Sequence, residues 1–231
     1  MKQIRLTPRL QAIADQAEGE VLADVGTDHA YLPAWLLQNR KISRAIAADL
    51  RPGPLARARQ TARKADCEDR MDFRLCDGLQ GLGREEADVI VIAGMGGETI
   101  AQILARAPWT GWQGMRLLLQ PMSSQPELRR WLWEHEFVIA RETLAREGET
   151  LYVILGVEAG REQGFTPAEL WAGRQSRDPL RGVWLDQLLG KTGRALEGLH
   201  QGRETVEKQR ELEQVRAGLL EMREEWSAWQ R

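Results

Sequence analysis

Asp24, Asp28, Asp49 and Asp77 stand where short apolar runs give way to turns, and their spacing is the first chemical signal in the chain. The first such turn reads Asp24-Val25-Gly26-Thr27-Asp28-His29-Ala30. A dinucleotide site at a strand-to-helix turn needs the glycines of G-x-G-x-x-G, so that bare backbone can approach a pyrophosphate. Here Asp28 follows two residues after Gly26 and sets a negative charge where that phosphate would lie, which argues against NAD and FAD. A sulfonium ligand has no phosphate and is itself positive, so the same acids suit it. Taken alone, the pattern also fits a tight turn. Asp49 closes the next apolar run, about 20 residues past Gly26 and Asp28, where a carboxylate can grip both ribose hydroxyls. Asp77, in Cys76-Asp77-Gly78-Leu79, can accept from an adenine amino group while nearby amide N–H groups address the ring nitrogens. Each acid is also a common cap or turn residue. Three successive runs that each end in an acid favour a ligand.

A fourth run ends in Ala93-Gly94-Met95-Gly96-Gly97, where missing side chains leave the backbone open to a ligand or to close helix packing. The Asn/Asp-Pro-Pro-aromatic tetrapeptide usual in enzymes that methylate exocyclic adenine amines is absent from this position. After the fifth run come Gln120-Pro121, then Gln125, Arg129 and Arg130; with Tyr31 they are candidate substrate contacts or else surface and capping residues. Trp109 and Trp112 can stack on a base or pack against the sheet edge. From Arg40 to Lys64 there are eight basic residues against one acid, Asp49, although the whole chain carries a net charge of −2. Arg57, Arg59, Arg63 and Lys64 can form a phosphate-binding stripe or a solvated helix face. Cys67 and Cys76 make neither a disulfide framework nor a metal site, and no Ser/His/Asp signature occurs, so no metal is expected.

These residues need a scaffold that brings strand ends together. Strands are expected at Val21–Gly26, Ala45–Leu50, Asp72–Asp77, Ala87–Ala93 and Met115–Gln120. Helical stretches lie between and after them at Ala30–Asn39, Pro52–Lys64, Glu98–Ala107 and Pro126–Glu136, and Thr7-Pro8 opens a leading helix toward Ala17. Strands alternating with helices imply βαβ units and a parallel sheet covered on both faces. Phe137–Leu144 and Leu151–Glu158, separated by residues 145–150, leave no room for a helix and read as a terminal antiparallel hairpin. The expectation is an α/β, Rossmann-like methyltransferase domain over residues 1–160, its seven-stranded sheet mostly parallel. Residues 161–231 are expected to form a second, helical unit. There, Leu212, Val215, Leu219, Met222, Trp226 and Trp229 repeat at spacings of three and four, and Leu185, Leu189, Thr192, Leu196 and Leu199 supply a second stripe. A turn between Gly198 and Gly202 would make a coiled-coil-like antiparallel hairpin.

The segments Leu22-Ala-Asp-Val-Gly-Thr-Asp-His-Ala-Tyr-Leu-Pro33, Ile92-Ala-Gly-Met-Gly-Gly97 and Leu118-Leu-Gln-Pro121 resemble the bacterial tRNA (adenine(22)-N1)-methyltransferases. The similarity runs from about Leu6 to Gly160. It implies a class I methyltransferase fold, S-adenosyl-L-methionine as methyl donor, S-adenosyl-L-homocysteine as product and the D-arm region of tRNA as substrate. It further implies cofactor contacts at Gly26, Asp28, His29, Asp49, Asp77, Gly78 and Met95. Asp24, Ala93 and Gly94 complete the cofactor set expected here. Tyr31, Gly96, Gly97, Gln120 and Pro121, with the four basic residues, form the expected substrate set.

N1 of adenine offers an in-plane lone pair, so attack needs no prior deprotonation. The positive charge left on the ring calls for a nearby acid, and Asp28 is the catalytic candidate. Two other readings share these motifs: a methyltransferase acting on a small molecule or a protein, and a non-catalytic RNA-binding protein that retains S-adenosylmethionine. No apolar run reaches the roughly 18 residues of a membrane span, and the N-terminal residues lack a secretory pattern, so a cytoplasmic protein, favoured as a monomer, is expected.

Overall fold

A computed structural model describes residues 3–174, 177–201 and 206–230. In chain order its elements are α1 (Pro8–Ala14), β1 (Val21–Val25), α2 (Tyr31–Gln38), β2 (Arg44–Asp49), α3 (Pro52–Ala65) and β3 (Met71–Leu75). They continue with β4 (Val89–Gly96), α4 (Gly97–Ala105), β5 (Arg116–Ser123), α5 (Gln125–Glu134), β6 (Phe137–Glu147) and β7 (Thr150–Ala159). The chain closes with α6 (Pro167–Ala172), α7 (Arg181–Gln201) and α8 (Val206–Trp229). The sheet order is β3-β2-β1-β4-β5-β7-β6. β1 to β5 pair in parallel, whereas β7 runs antiparallel to both β5 and β6. Strand order therefore reverses between β1 and β4, which opens a crevice at their carboxyl ends.

Alternate residues of the central strands feed two cores, as a sheet covered on both faces requires. Ile90 and Ile92 of β4 face α4 and α5, with Ile100, Leu104 and Leu128. Val89 and Val91 face the other side, with Ile13, Leu32, Leu36 and Ala58 from α1 to α3. The C-terminal helices add Trp184, Leu185, Leu188, Val215 and Leu219 to the first of these cores. α7 and α8 are antiparallel: Asp186 near the start of α7 accepts from Arg223 near the end of α8 at 2.7 Å. Leu212, Val215 and Leu219 of the seam are buried. Among the described residues, no helix is long and apolar enough to cross a membrane.

Several boundaries differ from expectation. The hairpin turn is Gly148-Glu149 rather than a six-residue loop, because Ala145, Arg146 and Glu147 continue pairing with Tyr152, Leu151 and Thr150. Gly148 supplies the positive φ of 58° for that tight turn. β3 stops at Leu75, so Asp77 belongs to the following turn. Of the glycine run expected after β4, Gly94 and Gly96 lie within the strand, where the register against β5 shifts between Ala93 and Gly96, and Gly97 opens α4. α6 adds an element the periodicity did not suggest; Thr166 and Glu169 close its capping box. Gly198 is helical, within α7, and Gly202 lies outside the described residues.

Candidate active site at the carboxyl edge of the sheet

The first turn is hung on its neighbours. Gly26 and Thr27 both donate their N–H groups to the Ala48 carbonyl, at 2.8 and 3.0 Å, which holds the turn beside the end of β2. Gly26 adopts φ 78°, and a Cβ there would collide with the methyl of Met95, so bare backbone at this position faces the end of β4. Asp24 sits beneath the turn. Burial pushes its carboxyl up to about 6, with Thr27 opposing and the charge of nearby Asp49 adding to the rise. Two acids thus converge at adjacent strand ends, a region that favours a positive ligand.

Asp49, only 8% exposed, ends β2. Its Oδ1 accepts the Arg51 N–H at 2.8 Å, which fixes the carboxylate without using up its acceptor capacity. The Asp49 carbonyl accepts from Cys76 N–H at 3.0 Å, and that bond brings the Asp77 turn alongside. Asp77 pairs with Arg106, which caps the C-terminus of α4, at 2.9 Å. Gly78 takes φ 56°, and a Cβ there would lie 3.0 Å from Ile103, so its glycine serves close helix packing as well as an open turn.

Asp28 is largely solvent-exposed and is gripped by the Arg57 guanidinium, with His29 Nε2 at 3.4 Å. The Arg57 hydrogen bond holds its carboxyl below the usual carboxylate range, and the charge of His29 adds to the effect. His29 and Tyr31 stack with ring centres 5.2 Å apart. These two, with Arg57 and Lys64, line a cavity of about 560 Å3 that also touches Gln60 and Thr61 of α3. The four basic residues do not form a single stripe. Arg57 and Lys64 face this cavity, Arg59 lies over the Phe73 ring at 4.3 Å, and Arg63 pairs with Glu68 at 2.8 Å.

On the far side of β1, Gln120 is fully buried and fully engaged. Its Oε1 accepts from the Gly94 N–H at 3.1 Å and from Arg9 Nη1 at 2.7 Å, while its Nε2 donates to the Pro121 carbonyl at 2.9 Å. Gln120 therefore shapes the end of β4, and the buried Pro121 lies behind Met95 in the strand register. Gly96 and Gly97 admit Ser123 and Ser124 at close range, so both glycines serve close approach of the β5–α5 turn. Arg129 is buried, bound to Glu142 at 2.7 Å and to the Leu170 carbonyl at 2.7 Å, and is a structural tie rather than a substrate contact. Arg130 stays exposed near Glu211 at 3.9 Å. Trp112 carries the Arg84 guanidinium on its face at 3.3 Å, and Trp109 packs against the core. Sequence reasoning missed Arg9, which carries no motif signal and reaches the site only because α1 folds back onto it. No group of three or more His, Cys, Asp or Glu residues able to hold a metal occurs among the described residues.

The "Methyltransferase domain" family matches residues 6–155 of the chain. The tRNA (adenine(22)-N(1))-methyltransferase of Bacillus subtilis is 37% identical over 177 residues, which cover 75% of this chain and 74% of that protein. The crystal structure of the B. subtilis m1A22 tRNA methyltransferase superposes with a TM-score of 0.81 at 31% identity, covering 97% of this chain and 99% of that one. A Streptococcus pneumoniae protein crystallised with S-adenosyl-L-methionine gives a TM-score of 0.81 at 30% identity, covering 95% and 100% of the two chains. On its fold, its strand-end motifs and these similarities, the chain belongs to the tRNA (adenine(22)-N1)-methyltransferase family of class I methyltransferases.

Proposed function

We propose that this protein transfers a methyl group from S-adenosyl-L-methionine to N1 of adenine 22 in tRNA, at the carboxyl ends of β1, β2 and β4. The observation that carries the reading is the meeting of half-buried Asp24 and buried Asp49 around the side-chain-free Gly26. That arrangement suits a ligand that is positively charged and bears a ribose. Asp49 would take the ribose hydroxyls, Asp77 and Gly78 the adenine edge, and the Gly26 turn with Ala93, Gly94 and Met95 the sulfonium end. When bound, the cofactor supplies an electrophilic methyl group.

The chain's own residues do the rest. Asp28 remains a carboxylate because Arg57 holds it so, which makes it a stabiliser of the cation formed at the methylated ring rather than a ready proton acceptor. His29 and Tyr31 stand beside it, and Tyr31 is exposed enough to meet an incoming base. Adenine N1 is commonly engaged within folded tRNA, so the base must be swung out to reach this turn. Lys64 supplies a phosphate contact along the cavity edge, beside Arg57, which is committed to Asp28. We assign the chemistry to residues 1–160 and the seating of tRNA to both that unit and residues 161–231. We place the protein in the cytoplasm as a monomer.

The test is incubation of the purified protein with labelled S-adenosylmethionine and a tRNA transcript carrying adenine 22, followed by nucleoside mass spectrometry. 1-Methyladenosine should form, and replacing adenine 22 by guanine should abolish it. Label in small molecules or proteins, with none in tRNA, would support another methyl acceptor.

A further inference from the structure

Arg9 is a partly buried cation whose charge has no counter-ion among the described residues. Three bonds and contacts fix it. Its backbone N–H donates to Glu147 Oε1 at 2.8 Å, its Nη1 donates to Gln120 Oε1 at 2.7 Å, and its guanidinium lies 5.4 Å from the centre of the Tyr152 ring. These hold the head group at the end of β4, where a Cβ on Gly94 would lie 3.5 Å from Nη1. Among the described residues, no carboxylate comes within ion-pair distance of the guanidinium, and its Nε and Nη2 donors have no partner. The other arginines around the site differ. Arg57 is paired with Asp28, and Arg106 with Asp77. A partly desolvated guanidinium without an anion is unfavourable unless a ligand brings one.

The sheet order says which ligand group that is. Asp49 ends β2 and the Asp77 turn follows β3, both on one side of β1, while β4 lies on the other. A cofactor whose ribose and adenine lie toward β2 and β3 must extend its amino-acid portion toward β1 and β4. The ammonium of that portion suits the acids of the β1 turn. Its carboxylate needs a cation with a pair of N–H donors.

We propose that Arg9 binds the carboxylate of the cofactor's methionine portion, with Gln120 and Tyr152 holding the guanidinium in place; this rests on the cofactor reading above. A guanidinium fork matches a carboxylate in two parallel hydrogen bonds, which a lysine cannot reproduce.

Calorimetric titration of the full chain with two neutral-sulfur probes tests it. S-adenosylhomocysteine carries the carboxylate, and 5′-methylthioadenosine lacks the whole amino-acid portion. Arg9→Ala should weaken S-adenosylhomocysteine by roughly tenfold to a hundredfold. Its affinity for 5′-methylthioadenosine should stay within about twofold of the unsubstituted protein, because that probe leaves Arg9 unused. Arg9→Lys should show the same selectivity with a smaller loss, and serves if the alanine variant does not fold. An equal loss for both probes would make Arg9 a structural tie and overturn the proposal. So would unchanged S-adenosylhomocysteine affinity accompanied by weaker tRNA binding, which would assign Arg9 to a nucleotide phosphate. Failure of the unsubstituted protein to bind S-adenosylhomocysteine would instead overturn the cofactor reading itself.

Discussion

Arg57 of α3 grips the carboxylate of Asp28 in the first turn, so the helix expected to meet RNA phosphates also sets the charge state of the catalytic candidate. A carboxyl with a lowered pKa contributes its stabilising charge above its ordinary titration range and loses it only as pH falls through the lowered value. Arg57→Ala should therefore shift the acid limb of the kcat–pH profile upward, toward the ordinary aspartate range. Measuring kcat at saturating cofactor and tRNA checks this, and an unmoved limb would separate Arg57 from the chemistry.

Asp49→Ala should weaken S-adenosylhomocysteine by about 1.5–3 kcal/mol, a tenfold to hundredfold rise in Kd. The substitution also removes the acceptor for the Arg51 N–H, so Asp49→Asn, which keeps an acceptor there, is the control. Thermal unfolding should show both variants folded. Unchanged affinity by calorimetry would remove Asp49 from the ribose site.

Asp24 gives a pH prediction of the opposite sign. Its carboxyl is raised from 3.8 to about 6 in the folded protein, so its protonated form contributes stability that is complete below about pH 4 and lost as pH rises through about 6. A cationic ligand reverses that preference by favouring the carboxylate. Affinity for S-adenosylmethionine should therefore rise from about pH 5 to about pH 7, the range over which a carboxyl titrating near 6 gains its charge. Titration in buffers of different ionisation heats should show proton release on binding. Asp24→Asn should flatten the dependence; an unchanged profile in that variant would contradict the role given to Asp24.

The basic residues of α3 should separate into two classes. Lys64→Ala should weaken tRNA binding and reduce the slope of log K against log salt by up to about 0.9, the value of one lost phosphate contact. Arg63→Ala should change the slope little, because Arg63 is occupied by Glu68. Filter binding across a salt series distinguishes them, and equal slopes would mean that both lie on a solvated face.

What could be read from sequence was what local pattern determines. The β1 turn, the Asp49 strand end and the terminal hairpin follow from apolar runs, glycine positions and the spacing of acids. What escaped depends on long-range packing. Arg9 meets Gln120 across 111 positions of chain, and Gln120, an apparent substrate contact by position, is sealed beneath Gly94. Arg129 looks like a surface cation from its place near the start of α5, yet α6 and Glu142 of β6 enclose it. The basic run from Arg40 to Lys64 says nothing of which cations face one another, and only the packing of Glu68 and Phe73 divides them.

The central claim is that methyl transfer to tRNA takes place beside the carboxylate of Asp28. Asp28→Asn keeps the size of the side chain and removes its charge. Single-turnover methylation of adenine 22, with S-adenosylmethionine saturating, should slow by roughly a hundredfold to a thousandfold while tRNA affinity changes little. A near-normal rate at saturation, with only a raised cofactor requirement, would contradict the account and leave Asp28 as a residue that merely helps to hold the cofactor.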